Sequence, residues 1–82
     1  DFYADSCGAC KKLAPCLGNA EDDYEDKVKV DKVNTNFDVE LAEQYEVQSN
    51  PTLILFKDGQ VKDRKVGAMK QADLNSWIEE QI

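Results

Sequence analysis

Histidine is absent from this chain of 82 residues, and cysteine, proline, glycine and tryptophan are scarce, at three, two, four and one. Without histidine, and with three cysteines that lack zinc-finger spacing, a metal centre is a weak reading. No apolar run approaches the roughly 18 residues of a membrane span, so nothing here is expected to cross a bilayer. Positive charge is also short: ten Lys and Arg stand against 17 Asp and Glu, for a net charge of −7. An electrostatic grip on DNA, RNA or an anionic membrane is therefore not expected. Much of the acid lies in Glu21-Asp22-Asp23 and Glu25-Asp26, which reads as a solvated helix face and end. Three cysteines are too few, and odd in number, for a secreted disulfide framework. The chain is long enough for one small domain, residues 1–82, with a single core.

What is present is Cys7-Gly8-Ala9-Cys10. On a helix, residues i and i+3 share a face with Cβ atoms roughly 5–6 Å apart, close enough for a disulfide with little backbone movement. The pair can cycle between dithiol and disulfide, and one C-x-x-C beside a βαβ pattern fits an intracellular, cytoplasmic redox domain.

The patterning predicts β at about 1–4, α at about 7–24, β at about 28–33, α at about 38–46, β at about 52–57, β at about 60–66 and α at about 70–81. Leu13, Leu17, Ala20 and Tyr24 form an apolar stripe on the first helix, which Pro15 interrupts by withholding a bond from the carbonyl of Lys11. Leu74, Trp77, Ile78 and Ile82 form the stripe of the last. Thr52-Leu53-Ile54-Leu55-Phe56 reads as a strand covered on both faces, and Asp58-Gly59 as a tight hairpin turn. The returning strand, with Lys62, Asp63, Arg64 and Lys65, suits a sheet edge.

Taken in order, Asp1-Phe2-Tyr3-Ala4, Cys7 to Pro15, Lys32-Val33-Asn34, Asn50 to Gly59 and Lys65-Val66-Gly67-Ala68 resemble the thioredoxin family over essentially the whole chain. The resemblance implies a three-layer α/β/α sandwich with a βαβαββα core and a central mixed four-stranded sheet. Asp1-Phe2-Tyr3-Ala4 then reads as the tail of a strand, with the family's N-terminal strand and helix missing before it.

It also implies a role for each matching residue. Cys7 is the nucleophile, favoured as a thiolate at a helix N-terminus, and Cys10 the resolving thiol. Asp1 matches the family's buried carboxylate, which accepts the proton of the resolving cysteine, with Lys32 as its neighbour. A frayed terminal Asp1, whose free α-amino group alters that chemistry, is the bland alternative. Asn50-Pro51-Thr52 matches the cis-proline loop that pairs with extended substrate. Pro51 could instead be an ordinary trans residue. Gly67 matches a glycine lining the groove, though a bend after the edge strand explains it as well. Ser6, Gly8, Ala9 and Asn50 complete the substrate surface. The implied partners are disulfide-containing proteins and a thioredoxin reductase-type electron donor, acting on a monomer that needs no cofactor.

The chain departs from the family at Ser6 (usually Trp), Ala9 (usually Pro), Thr35, Ser49 and Asn50 (Ile or Val in the family), which predicts a more polar groove. Loss of the proline between the cysteines predicts a reduction potential above that of ordinary thioredoxin, to be read from an equilibrium titration against glutathione. Cys16 lies roughly 13 Å along the helix from Cys7 and out of phase with it, so the two cannot pair. It reads as a small buried hydrophobe, with regulatory oxidation or an intermolecular bond as alternatives. Beside the oxidoreductase stand two other functions, a non-catalytic thioredoxin-fold scaffold and a metal or iron–sulfur module drawing cysteines from two chains.

Overall fold

A computed structural model describes residues 1–82. The elements are β1 (Phe2–Tyr3), α1 (Gly8–Asp23), β2 (Val33–Asn34), α2 (Val39–Gln44), β3 (Thr52–Lys57), β4 (Gln60–Val66) and α3 (Gln71–Gln81). They form the expected mixed α/β sheet in the order β2-β1-β3-β4, with β1 parallel to β2 and the other two pairings antiparallel.

Alternation along β3 sorts its side chains between two layers. Leu53 and Leu55 join α1 and α3 in a core of Leu13, Leu17, Ala20, Leu74, Trp77 and Ile78. On the opposite face Phe56 meets Tyr45 edge-on at 5.6 Å, and Tyr45 meets Phe2 at 6.0 Å, which seats α2. That second layer is thin. Phe56 is 47% exposed and Ile54 only half-buried, so β3 is not covered on both faces as its apolar run predicts.

A strand is expected over about 28–33, but only Val33–Asn34 forms one. The N–H of Val30 instead donates to the Glu21 carboxylate at 2.7 Å, while Val28 and Val30 pack on the core. Ile82 also departs from its stripe: at the chain end it is 46% exposed. Cys16 is half-buried against the core.

Asp58 and Gly59 both have positive φ, 55° and 79°, as a primed two-residue turn requires, and close the β3–β4 hairpin. On β4 the charged residues divide by face. Arg64 reaches the α2 layer and donates to the carbonyls of Tyr45 (2.7 Å) and Glu46 (3.3 Å), satisfying orphan acceptors at the helix end. Between α1 and α3, Tyr24 donates to Glu79 at 2.6 Å, and this bond pushes the phenol up to about 12.

Asp63, paired with Leu55, faces α3 and accepts the Trp77 indole N–H at 2.7 Å. That bond first, then the N–H of Arg64, holds its carboxyl below the ordinary value of 3.8. A depressed folded value means that the stabilisation is complete above the unfolded value and is lost as pH falls below about 4 through the folded one. Acid unfolding followed by Trp77 fluorescence should therefore show a step in this window, and Asp63→Asn should flatten it.

Candidate functional site

Strand direction collects the site at one end of the sheet. The chain leaves the C-terminal end of β1 through Ala4-Asp5-Ser6 to reach α1, and parallel β2 ends beside it. Because β3 is antiparallel to β1, with Phe2 opposite Thr52, its first residues lie at that same end. So does the end of β4, with Val66 opposite Thr52. Ligand sites in α/β sheets gather at the carboxyl ends of parallel strands.

Cys7 is the N-cap of α1. Its Sγ accepts the N–H of Cys10 at 3.1 Å, and its own N–H donates to Ala4 at 3.2 Å. Cys7 and Cys10 are joined in a disulfide with Cα atoms 5.2 Å apart. The sulfur thus sits against unpaired helix N–H groups and the positive end of the dipole, with no acidic residue in the first turn to oppose it. Both features favour sulfur as an anion. Exposure separates the two cysteines: Cys7 is half-buried and Cys10 only 7% exposed. Ser6 and Gly8 are exposed beside them and Ala9 half-buried.

The Asn50–Pro51 bond is cis. Pro51 is fully buried, and its carbonyl accepts the N–H of Gly67 at 2.9 Å, tying the loop to the end of β4. Buried Thr52 donates from its hydroxyl to the carbonyl of Ser49 at 2.6 Å, closing the loop on the other side. Gly67 has φ of 96°, a conformation few side chains adopt, and a Cβ there would meet nothing within 4 Å. The positive φ makes the bend after β4, and the space beside Gly67 is open.

Asp1 is not frayed. Its amino group donates to Asp31 at 2.9 Å, and its carbonyl accepts the N–H of Val33 at 2.8 Å. The carboxyl Oδ1 is buried with no hydrogen-bond donor. Lys32 does not supply one: it is exposed and its ammonium forms no ion pair with Asp1. A lysine whose residue faces water gains more by staying hydrated than by reaching under the sheet.

Sequence reasoning missed Asn34. It is 9% exposed, and its amide donates to Asp5 of the redox loop at 3.3 Å while its Oδ1 accepts the N–H of Asn36 at 2.9 Å. It therefore fixes the loop before Cys7 to the end of β2. The available signal was a polar residue closing a valine-rich strand at the end where such sites form. Thr35, read only as a departure, and Asn50, also expected on the substrate surface, are bonded to each other, Asn50 Nδ2 donating to Thr35 Oγ1 at 3.3 Å. A cavity of about 890 Å³ lies away from the cysteines, among Asp1, Phe2, Val30, Tyr45 and Phe56. No helix is long and apolar enough to cross a membrane.

A cysteine pair at a helix N-terminus and a cis-proline loop thus share one end of the sheet, and known proteins are similar to this chain. The thioredoxin family profile matches residues 1–80. A thioredoxin of Acidithiobacillus ferridurans is 39% identical over 82 residues, all of this chain and 76% of the relative. One from Synechocystis is 43% identical over the same 82 residues, 77% of that relative. The crystal structure of Deadhead, a germline-specific thioredoxin of Drosophila melanogaster, superimposes with a TM-score of 0.92 at 28% identity, covering 100% of this chain and 77% of that one.

Proposed function

Because the chain belongs to the thioredoxin family and is a thiol–disulfide oxidoreductase, we propose that Cys7 is the nucleophile and Cys10 the resolving thiol of a protein-disulfide reductase acting as one domain, residues 1–82. The observation that carries this reading is the cap: Cys7 Sγ, at the helix N-terminus, already accepts the N–H of Cys10.

In the reduced protein the Cys7 thiolate attacks one sulfur of a substrate disulfide. A Cys7–substrate bond forms, and the other substrate sulfur leaves as a thiolate. Cys10 then gives up its proton and attacks Cys7 Sγ, releasing the second substrate thiol and closing the Cys7–Cys10 disulfide. Two electrons have passed to the substrate. Asp1 is assigned as the proton acceptor, supported by its buried oxygen without a donor. Lys32, exposed and without an ion pair to Asp1, takes no step in this transfer. Ser6, Gly8, Ala9, Asn50, Pro51 and Gly67 form the surface on which substrate lies, the N–H of Gly67 being already engaged by Pro51.

The cycle needs an electron donor of the thioredoxin reductase type, and the protein works as a monomer. The cytoplasm suits it, since a reducing compartment keeps Cys16, a free and half-buried thiol, from unwanted pairing. The test is dithiothreitol-driven reduction of insulin. Acceleration by the folded protein is expected. A folded protein whose cysteine pair reduces and reoxidises without accelerating the reaction would overturn the proposal in favour of a binding module.

A further inference from the structure

Building on the reductase reading above, we propose that Asn50 and Thr35 select disulfides flanked by polar residues, with Asn50 as the specificity-determining side chain. Asn50 immediately precedes Pro51, and Thr35 immediately follows β2, both at the end of the sheet from which the redox loop departs. The Thr35 hydroxyl donates its one proton to the carbonyl of Tyr3 at 3.2 Å, so it meets Asn50 only as an acceptor. It accepts Nδ2 of Asn50 at 3.3 Å. This chain of donors fixes which way the amide points: nitrogen toward Thr35, oxygen away from it.

The oxygen is left without a partner. Asn50 Oδ1 is shut off from solvent and no protein donor reaches it. With Nδ2 held by Thr35, a peptide that uncovers Oδ1 meets that oxygen in a fixed direction. A substrate hydroxyl or amide that reaches Oδ1 supplies a donor to an acceptor that water does not serve. An aliphatic side chain in the same place supplies none and leaves Oδ1 unpaired beneath it. A site built around polar groups discriminates most strongly against the partner that cannot bond to them. The substrate class is thus a protein disulfide with Ser, Thr, Asn or Gln beside the attacked cysteine.

The test uses two disulfide peptides that differ only in that flanking residue, Asn in one and Leu in the other, and compares their kcat/KM within each protein. Taking the ratio removes any general loss of activity or fold. The unaltered protein should favour the Asn peptide about tenfold, the effect of one hydrogen bond. Asn50→Ile should abolish or invert the ratio, Thr35→Val should reduce it by about threefold as the amide loses its anchor, and Asn50→Gln should retain most of it. Equal turnover of both peptides, or a ratio unmoved by Asn50→Ile and Thr35→Val, overturns the selectivity and leaves the reductase reading standing. Turnover of neither peptide overturns both.

Discussion

Cys7→Ser should bring disulfide reduction down to the dithiothreitol background, and Cys10→Ser should bring it down as far by a different route. Serine at position 7 is not ionised at neutral pH and offers no nucleophile, so nothing covalent happens and no adduct forms. Serine at position 10 leaves Cys7 and its place at the helix N-terminus intact. The first exchange then proceeds and the second cannot, because no thiol lies one turn into α1 to displace the substrate. Mass spectrometry should show a stoichiometric, thiol-reversible adduct with Cys10→Ser and none with Cys7→Ser. The reverse pattern would exchange the two roles. The proposed assignment follows exposure, Cys7 being half-buried and Cys10 only 7% exposed.

The second large effect is on stability. Leu74 is 1% exposed and lies in the cluster of Leu13, Leu17, Leu53, Trp77 and Ile78 that joins both long helices to the sheet. Leu74→Ala deletes buried methyl groups and leaves a cavity, at a cost of about 2–5 kcal/mol. A domain of this size has a total of about 4–12 kcal/mol, so much of its stability is at stake. The melting temperature should fall by about 10–25 °C. Phe37 is 80% exposed, and Phe37→Ala should change stability by no more than about 0.5 kcal/mol. Calorimetry on the pair separates burial from mere hydrophobicity.

The features legible in the sequence were those decided by neighbours a few residues apart. Leu13, Leu17 and Ala20, and likewise Leu74, Trp77 and Ile78, announce helix faces because 3.6 residues per turn is a local property, and all six are buried. Asp58-Gly59 announces its turn because its backbone requirement belongs to those two residues. Val28 to Val33 shows the limit. Val28 and Val30 alternate but Val33 falls out of step, and the N–H of Val30 is taken by the Glu21 carboxylate, a contact between residues nine apart that no local pattern announces. The site divides along the same line. The cysteine spacing is local and was readable, whereas the Thr35–Asn50 bond joins residues 15 apart and exists only once β2 and β3 flank β1. Ile82 carries the right period but is 46% exposed, one residue past the end of α3.

The sheet is held unevenly. Thr52–Lys57 and Gln60–Val66 pair along their length, while β1 shares only Phe2 and Tyr3 with β2 and only Phe2 with β3. Amide exchange should therefore divide this sheet into a slow hairpin and a fast flank, since local opening breaks few ladder bonds in β1 and β2. The redox loop hangs from the fast flank and the cis-proline loop from the slow one. Substrate thus meets one compliant jaw and one stiff jaw, and the compliant jaw carries the sulfur that must travel between protein and substrate.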